Sequence, residues 1–405
     1  MGNPQKNIEV IFLGTGTSSS LPTIACLTAG PNASPCHTCL STLTPEGKHN
    51  IRRNTSAVIR LPGKDGAKKT IVIDVGKNFQ AAAVEWFPKY GLRRIDAVLI
   101  THAHADAMNG LDDLRAWTLK ACIQPYIDVY VSKATLDAVK HAFPYMVSKE
   151  HASGGGDVPQ FRWHEIEEGK PLQFWDSNMD PEDWEVEIVP FAVYHGRYFT
   201  QTPPPGYMPT PTTTGPSTPT SLSTRGSPEP EISAPPPDVF HYICHGFKVQ
   251  NSVLYMADVS YIPEETWELL GRPLGQDGDA LASLPQYDAV ILDCLRPDTH
   301  TSHFGIVQSV HAARRLGSKR TYMVGFGHEV SHKEYVRVGE TVEGKEGINA
   351  TSLSLGEKKC IELLEEGKQL LGKPIWLRPA HDGLQVCVSG EGVTDSTYDG
   401  QGRSA

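Results

Sequence analysis

Short apolar runs, each stopped by glycine, proline or a charged residue, alternate along this chain with stretches whose apolar residues return every three or four positions. IEVIFLGTG, TSAVIRL, KTIVIDV, IDAVLIT, YIDVYVS, EVEIVPFAV, YICHGFKV, SVLYMADV, YDAVILDC and RTYMVGF read as strands. FQAAAVEWFPKYG, GLDDLRAWTLK, KATLDAVKHAFPYM, EETWELLG, GIVQSVHAARRLG and LGEKKCIELLEEGKQLL read as helices. Two antiparallel strand groups with helices outside them predict a layered α/β sandwich. No internal repeat is evident.

One segment breaks the pattern. Thr202 to Pro237 holds 12 Pro and 13 Ser or Thr in 36 residues, with Tyr207 its single aromatic. It offers too little apolar surface to offset its ordering entropy and reads as disordered. Strand-like runs flank it on both sides, so it is an insertion in a loop of one domain, with ends that meet as a widened hairpin. The expected organisation is one domain over 1–390, interrupted at 202–237, and a disordered tail over 391–405.

Composition narrows the function. The chain has 405 residues, 39% hydrophobic and 21% charged, and a net charge of −10. That size suits one large domain or two modest ones. The acidic balance weighs against a grip on a long nucleic acid backbone. No apolar run reaches the ~18 residues of a membrane span. The first ten residues lack the apolar core of an export signal, so the expected location is the cytoplasm, or the nucleus. In such a reducing compartment the eight cysteines are thiols or metal ligands rather than disulfides.

The candidate chemistry lies at strand ends. His102, His104 and Asp106 follow IDAVLIT, His195 follows EVEIVPFAVY, Asp258 closes SVLYMA, Asp293 closes YDAVIL, and His328 follows RTYMVGFG. A single histidine in such a place is most often a hydrogen-bonded polar residue. A set of them on successive strand ends suits a borderline cation such as zinc. The stretch THAHADAMNGLDD, Thr101 to Asp113, resembles the T-H-x-H-x-D-H loop of the metallo-β-lactamase fold superfamily. The order His195, Asp258, His328 also fits. The opening IFLGTGTSSSLP resembles the branch containing the phosphoribosyl cyclic phosphodiesterase of phosphonate breakdown, which in turn resembles the tRNA 3′-processing endonucleases. The resemblance runs from about Glu9 to about Cys387 and implies a four-layer αββα sandwich with metals at one edge. It implies a first metal on His102, His104 and His195, a second on Asp106 and His328, and Asp258 between them. Ala107 stands where the family usually has a second-metal histidine. Asp112, five residues on, is the candidate to compensate.

A second cluster is Cys26, Cys36 and Cys39. The Cys36–Cys39 C-x2-C spacing suits zinc; free thiols or a redox pair are the other readings. The resembling branch has a structural zinc on three early cysteines and a late histidine, which implies His332 as the fourth ligand. His37 and His49 are further donors nearby. Cys122, Cys244, Cys294, Cys360 and Cys387 lie in apolar or helical runs and read as core. In the resembling branch a histidine on the loop before a helix faces the scissile phosphate; His303 takes that place here, with His300 as rival. Asp293 either orients a metal-bound histidine or caps its strand.

The resemblance implies metal-assisted hydrolysis of a small phosphodiester, with Zn2+ or Mn2+ activating water and His303 and Asp106 as catalytic groups. A thioester hydrolase, a sulfur dioxygenase and a non-enzymatic protein using the proline-rich insertion to bind a protein partner are the alternatives. A homodimer is compatible with the sequence.

Overall fold

Among the described residues, fourteen strands form two sheets. In chain order they are β1 (Ile8–Gly14), β2 (Ser56–Pro62), β3 (Lys68–Ile73), β4 (Ala97–Leu99), β5 (Ile127–Val131), β6 (Phe161–Glu165) and β7 (Ile188–Arg197). They continue with β8 (His241–Val249), β9 (Val253–Met256), β10 (Tyr287–Asp293), β11 (Ser318–Val324), β12 (Leu377–Pro379), β13 (Gln385–Ser389) and β14 (Gly392–Asp395). The computed structural model describes residues 7–63, 67–153, 157–174, 187–199, 240–273, 286–345 and 353–396.

One sheet runs β14-β13-β1-β2-β3-β4-β5-β6 and the other β12-β11-β10-β9-β8-β7. Alternate side chains of each strand point to opposite faces. Val10, Phe12, Ile59, Ile71 and Leu99 meet Phe247, Tyr255, Ile291 and Tyr322 between the sheets. Ile11, Val58, Val72 and Val98 turn outward, onto Phe79 and Phe87 of the helix Phe79–Lys89 and Leu136 and Val139 of the helix Lys133–Ala142. On the far side, Leu254, Met256, Val290, Leu292 and Met323 pack under three helices, Ile306–Leu316, His332–Val342 and Leu355–Glu366. The order helix, sheet, sheet, helix is the αββα sandwich. Each large side chain so buried contributes about 1.5–3 kcal/mol.

Several expectations change. The two strand groups are mixed rather than antiparallel: β3 to β6 pair in parallel, and so do β9 to β12. Strands buried on both faces lose the polar alternation that marks an antiparallel edge, so the pattern did not distinguish the two. The tail begins later than 391, because β14 pairs with β13. Val393 is buried, and the Asp395 carboxylate accepts from Arg320 and Tyr322. GLDDLRAWTLK is not one helix but short turns, Asn109–Leu114, Arg115–Thr118 and Leu119–Ala121, with Lys120 at φ 52°. Pro144 ends the helix Lys133–Ala142 and opens a new turn. The helix His332–Val342 went unpredicted because Gly339 and its valines and threonine weaken the helical signal. Gly339 is required there: a Cβ would lie 2.0 Å from the Leu377 carbonyl oxygen of β12. The disordered reading of 202–237 concerns residues outside those described.

The parallel strands matter for function. β3, β4, β9, β10 and β11 end at Asp74, Thr101–His104, Asp258, Asp293 and Gly325, so the loops at these carboxyl ends gather the polar groups. Among the described residues, no helix is long and apolar enough to cross a membrane.

Candidate metal centres

The first centre starts from Asp74, the buried carboxylate that ends β3. It accepts from the Thr101 backbone N–H at 2.8 Å and from the Thr101 hydroxyl at 2.7 Å. With its proton given to Asp74, the Thr101 Oγ1, 2.8 Å from His102 Nδ1, can only accept from that ring. This sets the tautomer: Nδ1 carries the proton and Nε2 carries a lone pair. That Nε2 is buried and has no protein partner. His195 is set in the same way, because its Nδ1 lies 2.7 Å from the Ser302 carbonyl oxygen, which can only accept. His104 is held by ring stacking on Tyr242, with centroids 4.6 Å apart and planes 5° from parallel. The donor atoms of His102, His104 and His195 all lie within 4.8 Å of one another. Burial, then the neighbouring imidazoles, pushes His102 and His195 well below the usual histidine range. They are therefore neutral near pH 7, as metal ligands must be. A buried lone pair with nothing to accept from fits a cation.

Asp258 closes the centre. It converges with His102 and Cys244 on one side and with His195 and His303 on the other. Burial raises its carboxyl to about 8 in the absence of a cation. His303 Nδ1 lies 2.9 Å from Asp293 Oδ2 and 3.8 Å from Asp258 Oδ1. Burial opposes a charge on His303, but Asp293 first, then Asp258 and Asp106, outweigh it and raise the imidazole to about 9. The Asp293 Oδ2 also accepts from the backbone N–H groups of Val259 and Phe304, which favours the carboxylate. Asp293 therefore orients His303 rather than a histidine of the metal set. His300 turns to Ser302, with Nδ1 3.1 Å from its hydroxyl.

The second centre is the cysteine cluster. Cys26, Cys36, Cys39 and His328 converge, with His328 Nδ1 at 3.1, 3.6 and 3.8 Å from the three sulfurs. This corrects the expected partition. His328 converges with the cysteines and, among the described residues, with none of the groups around His102, His195 and Asp258. His332, the expected fourth ligand, instead opens its helix and packs with His49 and His381, at ring distances of 4.9 and 5.4 Å. The physical reason is the loop after β11. The buried Arg52 donates to the carbonyls of Gly327 and Val330 and lies over the Phe326 ring at 4.9 Å. That fixes residues 326–330 with His328 towards the cysteines, while the helix carries His332 away. His37 joins no convergent group among the described residues.

Four groups at the first centre escaped sequence reasoning. Asp74 had a signal, since it ends an apolar strand as Asp258 does. Thr101 had one too, as the first residue of the T-H-x-H-x-D stretch; Tyr242 had none. Cys244 was read as core; it is buried, yet its sulfur is 3.7 Å from His102 Nδ1. Asp106 joins no convergent group among the described residues. Asp112, the expected substitute for a histidine at 107, accepts from Arg115 at 2.7 Å and from the Tyr145 hydroxyl at 3.0 Å.

Residues 69–326 match the family described as Beta-lactamase superfamily domain. An octanoyltransferase of Porphyromonas gingivalis is 31% identical over 190 residues, 47% of this chain; the chain spans 31% of that relative's length. A structure described as a new diphosphatase from the PhnP family aligns at 21% identity over 95% of this chain and 98% of its own, with a TM-score of 0.57. The human short-form tRNase Z aligns at 16% identity over 78% of this chain and 92% of its own, with a TM-score of 0.42. The fold implies a divalent metal, and the two clusters described above are the candidate places for one. The chain belongs to the β-lactamase superfamily domain family and carries the metallo-β-lactamase fold.

Proposed function

We propose that this protein is a metal-dependent phosphodiesterase acting on a small phosphodiester. The observation that carries the reading is the His102, His104 and His195 convergence, with the buried Nε2 of His102 unpartnered beside Asp258. A divalent cation here, zinc or manganese, would supply Lewis acidity: it lowers the pKa of water and stabilises negative charge on substrate oxygens. The chain's own residues do the rest. Thr101 and Ser302 hold His102 and His195 in the tautomers that present Nε2. Tyr242 fixes the plane of His104. His303, paired with Asp293, offers a proton donor to a nonbridging oxygen or a leaving group. Asp106 lies close enough to influence His303 and Asp258 electrostatically, and its part is to bias the charge there.

The fold likeness to the PhnP-family diphosphatase supports a phosphate ester over a thioester. The net charge of −10 favours a small substrate over a long nucleic acid. The cysteine cluster would hold a structural zinc and contribute folding free energy. The test is a screen of purified protein with bis(p-nitrophenyl) phosphate, cyclic nucleotides, thioesters and persulfides, alongside metal analysis. Turnover of a phosphodiester that is lost in His104→Ala supports the reading. Turnover of thioesters or persulfides alone sinks it.

A further inference from the structure

A pair of catalytic cations needs two sets of donors, and the described residues supply one complete set. We propose that the histidine centre takes a single divalent cation on His102, His104 and His195, with Asp258 beside it. The second position of a binuclear centre is then absent from this protein. The inference rests on the reading of this centre as a metal-dependent hydrolase.

Four positions could have carried the missing ligands, and the structure accounts for each. Position 107 is alanine, buried within the turn Ala105–Met108, and its methyl cannot coordinate. His328 has its Nδ1 on the three cysteines, held there by the Arg52 grip on the loop. Asp112 is engaged with Arg115 and Tyr145. The residue that leaves β11 beside Asp293 is Gly325, which has no side chain to offer. It sits at φ 81°, and a Cβ there would lie 2.4 Å from Asp293 Oδ1 and 3.4 Å from the Ala257 carbonyl oxygen. Gly325 therefore faces the part of the site where Asp258 and Asp293 meet, and its conformation disfavours any L side chain.

What remains is Asp106, Asp258 and the buried, unpartnered Oδ1 of Asp293, and Asp293 joins no convergent group among the described residues. Asp106 joins no convergent group among the described residues. The group His195, Asp258 and His303 does converge, but it shares His195 and Asp258 with the first set, and His303 Nδ1 is turned to Asp293. It is another seat for the same cation, not a second complete set. A borderline cation held by three imidazoles binds far more tightly than one left with carboxylates and water, so the two positions are not equivalent.

The experiment counts ions. The full chain is purified, dialysed against metal-free buffer and measured by plasma emission. Two ions per chain are expected, one at the cysteines and one at the histidines. His104→Ala should retain one ion, and its survival at the cysteines shows that the variant is folded. Asp106→Ala should retain two. After manganese loading of the histidine centre, electron paramagnetic resonance should show the six lines of an isolated ion. Three ions per chain, loss of an ion in Asp106→Ala, or a spin-coupled pair spectrum would overturn the inference while leaving the metal-dependent reading intact. No ion removed by His104→Ala would overturn both. The wild-type count decides the matter even if a variant fails to fold.

Discussion

At the scale of single residues, the site works through side chains whose second hydrogen-bonding atom is already spoken for. His104→Ala removes one donor of three, and its ring stacks on Tyr242 rather than in the core. We expect phosphodiesterase turnover to vanish with the melting temperature nearly unchanged, which activity assay and calorimetry check. His303→Ala should cost about 10²–10⁴ in kcat/KM, the usual weight of a positioned acid or base. The His303 to Asp293 pair adds a pH dependence. His303 is raised to about 9, so its charge is present at neutral pH and lost as pH rises through that value. If the charged form is the active one, kcat/KM falls on the alkaline side. Asp293→Asn removes the carboxylate that holds the charge, so that limb should move to lower pH; an unmoved limb would assign it to another group. The residues of this centre were legible as strand-end histidines and carboxylates. Which of His328 and His332 faces the cysteines was not, because two histidines four apart look alike until a loop end and a helix start separate them.

At the scale of elements, the loop after β11 connects the two centres. It presents Gly325 to the histidine centre and His328 to the cysteines, and Arg52 pins it from β2's approach. Arg52→Ala leaves the carbonyls of Gly327 and Val330 without their donor and a gap beside Phe326. A loss of about 2–4 kcal/mol of stability is expected from those unsatisfied buried groups. It should also let His328 drift, so the ion at the cysteines should leave more readily under chelator, while the histidine centre keeps its own. Cys39→Ser should remove that same ion and lower the melting temperature, since a structural metal is part of the folding free energy. An equal melting curve and a full ion count would show that the cysteines are only buried thiols. Long strands such as β10 and β11 were legible from their apolar runs. β12, β13 and β14 were not: each spans three to five residues and draws its order from partners far along the chain, as Asp395 does from Arg320 and Tyr322.

At the scale of the whole molecule, the proline-rich stretch enters and leaves between neighbouring strands. β7 and β8 pair in antiparallel register, and the ladder continues past their bulge to Arg197 opposite His241. Beyond it the Tyr198 N–H donates to the Phe240 carbonyl at 2.8 Å. The described residues on either side of the stretch, Tyr198 and Phe240, are thus already together, and a short turn could join the two strands without moving either. Closure entropy changes slowly with loop length, so replacing 202–237 by a short glycine and serine turn should alter stability by only about 1 kcal/mol. The flanking Tyr198 also lies close to the histidine centre, because it packs against Tyr242, which stacks on His104. Catalysis gives a sharper reading than stability for that reason. If the stretch serves only as a connection or as a binding segment for a protein partner, kcat/KM on a small phosphodiester stays at the wild-type value in the shortened chain. A fall in kcat/KM with the melting temperature and both ions retained would instead assign the stretch to the substrate side of the site.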